Sequence, residues 1–226
     1  MAGAGELDTA RLGQVCAEAT HMTGAGVMLM SGDVPVGSLC TTDGVSALIE
    51  ELQFALGEGP CIDAFAEDRS VLEPDLAQPQ VLRWPTFSPP VVEAGGRAVF
   101  GFPLHQGHVR LGALNLYRDV AGAMSDDQHA DALVMADIVT EAVLLFQAGA
   151  PPGELAATLA EGADLQHVTH QASGMVASQL GISVGQALVR LRAHAFGTGR
   201  SLRSVAEDVV DRRLVFDDSP QPEAPT

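Results

Sequence analysis

The chain has 226 residues, which suits one large domain or two smaller ones, and 46% of them are hydrophobic, enough to build a core. A formal net charge of −17 argues against a chain that meets nucleic acid over its whole surface. No run reaches the roughly 18 consecutive apolar residues of a membrane span, and residues 1–8 lack the basic start and apolar middle of a secretion signal, so a cytoplasmic protein is expected.

Residues 7–20 carry apolar side chains at 7, 12, 15, 16 and 19, a helical spacing. Residues 26–30 form a short apolar run after a glycine, which predicts a strand, and residues 34–40 supply its hairpin partner. Residues 45–56 return to a helical period, with Leu48, Ile49, Leu52 and Leu56 on one face. Residues 98–104 and 109–116 predict two strands around a turn at Gln106-Gly107. Ser125 and Gln128 have the spacing of a capping box, and the helix they open carries Ala130, Leu133, Val134, Ile138, Ala142 and Leu145 on one stripe. Helix, antiparallel strands and helix make an α+β arrangement.

Ala148-Gly149-Ala150-Pro151-Pro152-Gly153 cannot continue a helix, so a linker is placed at 148–153 between a first domain at 7–147 and a second at 154–216. The second domain is helical throughout. Leu165, Val168, Ala172, Met175, Val176, Gln179 and Leu180 mark one amphipathic helix, stopped at Gly181. Ser183 and Gln186 form another capping box ahead of Val184, Ala187, Leu188, Leu191 and Ala195. Gly197 and Gly199 stop that helix, and Ser201 caps a third with Leu202, Val205, Ala206, Val209 and Arg213 on its stripe. Three short helices with short turns predict a small bundle. Residues 217–226, with three prolines and three acids, read as a disordered tail.

Charge divides unequally along the chain. Residues 1–153 hold 20 acids and 6 arginines, whereas residues 154–216 hold 6 of each, so any contact with a polyanion belongs to the second domain. All 12 basic residues are arginine. Cys16, Cys40 and Cys61 are widely spaced and fit neither a disulfide framework nor a zinc site. Cys61 follows Gly-Glu-Gly-Pro at an expected helix start; it reads as a small buried hydrophobe, with an activated thiol as the alternative. His105 with His108, and His167 with His170, lack a third ligand in reach, so no metal is read. The adjacent acids Glu50-Glu51 and Glu67-Asp68 are expected to be solvated. No catalytic constellation is found, and neither an enzyme nor a cofactor is expected.

Two stretches resemble known families. Leu56-Gly57-Glu58-Gly59-Pro60-Cys61, Val71-Leu72-Glu73-Pro74-Asp75-Leu76 and Arg83-Trp84-Pro85, with the strand pair Ala98–Leu104 and Leu111–Tyr117, resemble a GAF domain, a small-molecule-sensing α+β fold with an antiparallel sheet flanked by helices. Val168-Thr169-His170-Gln171-Ala172-Ser173-Gly174-Met175-Val176, Gln179-Leu180-Gly181, Ala187, Leu191-Arg192, Ala195 and residues 202–210 resemble an ANTAR domain, a three-helix module that binds RNA hairpins and controls transcription termination; Ser173 stands where many members carry lysine. GAF followed by ANTAR is itself a recurrent order. The resemblance implies a homodimer that senses a small molecule and holds paired RNA hairpins in nascent message.

Arginines with hydrogen-bonding and stacking side chains suit an RNA loop. The candidates are His170, Gln171 and Ser173 on polar positions of the first helix, Arg190, Arg192 and His194 on the second, and Arg200 and Arg203 at the start of the third. The candidate sensor pocket is Trp84, Phe100, Phe102, Leu104, Leu114 and Leu116 over the sheet. Two alternatives stay open: a GAF-fold thiol enzyme of the free methionine sulfoxide reductase type, using Cys40 and Cys61, and a DNA-binding regulator.

Overall fold

A computed structural model describes residues 8–32, 34–149 and 164–216. The linker reading beyond residue 149, the start of the second domain and the tail at 217–226 lie outside these residues. Contacts divide the chain into two units, 1–163 and 164–226.

The first unit runs α1 (Thr9–Thr20), β1 (Gly24–Ser31), β2 (Val34–Thr41), α2 (Gly44–Leu56), α3 (Pro60–Glu67), β3 (Val71–Glu73), α4 (Ser88–Glu93), β4 (Ala98–Gln106), β5 (Val109–Arg118) and α5 (Asp126–Gly149). Among the described residues the strands form one sheet of order β2-β1-β5-β4-β3, antiparallel at every junction. This is the α+β sandwich of sheet and helices that the sequence predicts. The reciprocal hydrogen bonds of Ser125 with Gln128, 3.1 Å each way, open α5 as its capping box requires.

Side-chain alternation sorts the sheet's two faces. Phe100 and Phe102 of β4 pair in register with Leu116 and Leu114 of β5, and with Leu104 they face one core with Val27, Leu29, Cys16, Ala132, Met135 and Val139. That core is closed by α1 and α5. Val99 and Tyr117, one residue out of phase, join Ile49, Ala64, Val71, Trp84 and Phe87 in the opposite core, where α2 and α3 pack.

Two glycines set how closely α3 approaches. A Cβ at Gly101 in β4 would lie 2.4 Å from the Pro60 carbonyl oxygen, so only a bare backbone lets the start of α3 rest on the strand. Gly59, at φ +134°, takes a backbone conformation that L side chains rarely adopt, and the Gln53 side chain fills the place of its missing Cβ. Glu58 beside it accepts amide hydrogen bonds from Thr86 and Phe87, both 2.8 Å, and the Trp84 indole donates to Asp63 at 3.0 Å. Glu58 and Asp63 thus tie residues 58–63 to residues 84–87, distant in sequence.

The second unit is α6 (Asp164–Leu180), α7 (Val184–Thr198) and α8 (Leu202–Val210), each packed against the other two. Gly181 at φ +66° ends α6 and Gly199 at φ +64° caps α7, whereas Gly197 lies within α7. Ser183 and Gln186 form the predicted box, and the Ser201 hydroxyl accepts from the Ser204 amide at 3.1 Å. Ala172, Val176, Ala187, Leu188, Leu191, Leu202, Val205, Ala206 and Val209 make the core.

Candidate nucleic-acid interface

The predicted cations of the second unit fall into two groups. Arg190 is exposed on α7 and makes no hydrogen bond or ion pair with the described residues, while Arg192 is half-buried and burial draws its pKa down to about 10. Arg200 and Arg203 meet acids of α8. Arg200 donates to the Ser204 hydroxyl at 2.7 Å and pairs with Asp208, and Arg203 faces Glu207 at 3.8 Å. Hydrogen bonds from Arg200 and then Arg213 hold the Asp208 carboxyl below the ordinary carboxylate range.

Of the α6 candidates, Gln171 is exposed and His170 half-buried. Ser173 corrects the expectation that it sits on a polar face. It is 1% exposed, and its hydroxyl donates to the Thr169 carbonyl at 2.8 Å. The reason is its spacing: Thr169, Ala172, Ser173 and Val176 stand at i, i+3, i+4 and i+7, so the small polar residues belong to the stripe on which α7 and α8 pack. His194 is half-buried, with its ring 5.4 Å from that of Phe216 at 67°, and the Phe216 amide donates to Gln179. The segment after α8 therefore folds back onto this side. It also brings Arg213, which the sequence reading placed on an apolar stripe. That residue is exposed and pairs with Asp208 and Asp211 at 2.7 and 2.6 Å.

The six pocket candidates do not line one cavity. Phe100, Phe102, Leu104, Leu114 and Leu116 are fully buried in the core under α1 and α5, whereas Trp84 belongs to the opposite core. Even-numbered positions of β4 and β5 share a face, and Trp84, in the loop before α4, reaches only the other one.

That other face carries a buried polar cluster. Glu50 and Gln53 lie on the buried side of α2, so the expectation that Glu50 is solvated is corrected. Gly26 of β1 pairs in register with Asn115 of β5, and a Cβ at Gly26 would lie 2.8 Å from Glu50 Oε1; the glycine makes room for the carboxyl against the strand. Neither oxygen of Glu50, neither polar atom of the Asn115 side chain, nor Gln53 Nε2 has a hydrogen bond of normal geometry among the described residues. Burial pushes the Glu50 pKa up to about 8. Gln53 Oε1 accepts the Cys61 amide at 2.7 Å. Cys61 is 1% exposed and burial holds its thiol well above its ordinary pKa; Cys16 and Cys40 are likewise buried, and both rise to about 12 for the same reason. Position at the start of α3 does not activate Cys61, because desolvation outweighs it.

Comparison with known proteins matches each half separately. Residues 157–210 match the family model of the ANTAR domain. No curated protein matches the chain. The N-terminal part is similar to the GAF domain region of a Geobacter sulfurreducens protein, at 13% identity and a TM-score of 0.50 over 60% of this chain and 90% of the other. It is similar to the GAF domain of a phosphoenolpyruvate-protein phosphotransferase from Coxiella burnetii, at 14% identity and a TM-score of 0.50 over 62% and 82%. A type II free methionine-R-sulfoxide reductase from Thermoplasma acidophilum aligns at 15% identity and a TM-score of 0.45 over 61% and 91%, a level that says nothing about chemistry. Residues 157–210 of this chain are an ANTAR domain, joined in one polypeptide to a domain of GAF fold.

Proposed function

We propose that the protein is a signal-responsive RNA-binding regulator of transcription antitermination and not an enzyme. The observation that carries this reading is the ANTAR domain at 157–210, because such a domain implies binding to RNA hairpins. The charge distribution supports it: α7 bears Arg190, Arg192 and His194 and no acid, in a chain of net charge −17. Crosslinking in cells followed by sequencing of the bound RNA tests the reading. Enrichment of paired hairpins ahead of regulated genes is the expected result; a transcript profile equal to background ends it.

The GAF-fold half supplies the signal in this reading. Its unmet hydrogen-bonding capacity lies at Glu50, Gln53 and Asn115, not at the apolar set under α1 and α5. A homodimer is part of the same proposal. Its support is α5, where Ala132, Met135, Ala136, Val139 and Val143 face the sheet while Leu133, Val134, Ile138 and Leu145 remain exposed.

A further inference from the structure

The outward face of α7 holds the most exposed large apolar side chain among the described residues, Phe196 at 80%, with Val189 at 60%. Val189, Ala193 and Phe196 stand at i, i+4 and i+7 and so form one strip along the helix. At about 100° per residue, Arg190 and Arg192 leave the helix on opposite sides of that strip. Gly197, where an added Cβ would meet nothing within 4 Å, leaves the surface beside the ring open.

The helix itself, Val184–Thr198, carries no acid. Glu207, Asp208 and Asp211 lie on α8 or directly after it, and each is paired with Arg203, Arg200 or Arg213. A bare aromatic ring beside the exposed Arg190, on a helix without a carboxylate, suits a nucleobase joined to phosphate. A protein partner suits it less well. One Phe presents about 150–250 Å², and a Val and an Ala beside it leave the strip far short of the roughly 800 Å² each partner gives to a standard protein interface.

We infer that Phe196 is a stacking platform for an unpaired loop base of bound RNA, with Arg190 on a flanking phosphate. The inference rests on the RNA-binding reading above and names the residue that would distinguish a loop from a plain duplex. Backbone phosphates are common to both, whereas only an unpaired base offers its face.

The test uses the full chain and a pool of tandem stem-loop RNAs with randomised loops. Wild-type protein selects from the pool, and affinities for the enriched RNA are then measured for wild type, Phe196→Ala, Phe196→Trp and Arg190→Ala. Base–aromatic stacking of about 1–3 kcal/mol corresponds to roughly 5- to 150-fold in affinity. Phe196→Ala is expected to lose tenfold or more, at an unchanged unfolding midpoint and an unchanged salt dependence, and Phe196→Trp to bind as wild type. Equal binding by Phe196→Ala while Arg190→Ala weakens would overturn the stacking role and leave the RNA reading standing. Failure of wild type to enrich any RNA would remove both. A Phe196→Ala protein whose lost affinity tracks a drop in mass by sedimentation would make the strip a contact between copies, which also overturns the inference.

Discussion

Arg200 and Asp208 form an ion pair along α8, with a guanidinium nitrogen 2.5 Å from Oδ2, tying a residue two positions before the helix to its last turn. Arg213 reaches the other oxygen of the same carboxylate at 2.7 Å. One acid thereby holds two cations that phosphate would otherwise attract. Asp208→Asn should free Arg200 while Arg213 keeps Asp211, tightening non-specific RNA binding and steepening the slope of log affinity against log salt by about 1. Titration of labelled RNA at several salt concentrations measures this; an unchanged slope would show that Arg200 does not face RNA. Because Asp208 titrates below the ordinary carboxylate range, what the pairing adds to stability is present above that range. It is lost as pH falls through the lowered value.

Glu50 has the opposite sign. Burial raises its pKa from an ordinary 4.5 to about 8, so the folded protein holds a proton that the unfolded chain releases. Stability should therefore fall as pH rises between about 4.5 and 8, and level off above that. Glu50→Gln keeps the shape and removes the charge. It should melt higher than wild type above pH ~7, with the advantage fading toward pH ~5. Thermal unfolding across that range decides, and a difference that does not vary with pH would mean the carboxyl is not titrating from a buried site.

Gly101→Ala should loosen the seat of α3. Its Cβ would meet backbone, the Pro60 carbonyl oxygen, and backbone yields less readily than the end of a flexible side chain. A loss of about 1–3 kcal/mol is expected from urea denaturation. Gly44→Ala, where an added Cβ meets nothing within 4 Å, is the neutral control. Equal behaviour of the two variants would show that α3 is free to shift.

If the exposed side of α5 joins two copies, charges there will separate them. Val134 and Ile138 are 56% and 46% exposed, one turn apart. The double variant Val134→Glu/Ile138→Glu is expected to halve the mass seen by sedimentation at micromolar concentration without unfolding the sheet, since neither residue belongs to the buried face. Wild type that already sediments as a monomer would end the dimer proposal.

All three thiols are buried with raised pKa values, so Cys16, Cys40 and Cys61 should react slowly with a disulfide reagent near neutral pH and quickly once the chain is unfolded. Turnover of free methionine sulfoxide with a thiol reductant, or one rapidly labelled native thiol, would reopen the enzyme alternative.

What could be read along the chain was whatever one helix or one strand decides alone. Ser125 with Gln128, and Ser183 with Gln186, are three residues apart, so each capping box is complete within a single turn. Phe100, Phe102 and Leu104 were legible as strand residues of one face because the pleat alternates every second residue. Local pattern could not say which core that face closes, and so placed Trp84 with them when the fold puts it on the other side. Nor could it say that Glu50, beside the exposed Glu51, is sealed in. That depends on Gly26 and Asn115 in strands far along the chain, whose pairing opens a space the size of a carboxyl. Ser173 and the Arg200–Asp208 pair follow the same rule: side-chain type and spacing establish a helix and its apolar stripe, but what a polar group touches is decided by the neighbouring elements that arrive only when the chain folds.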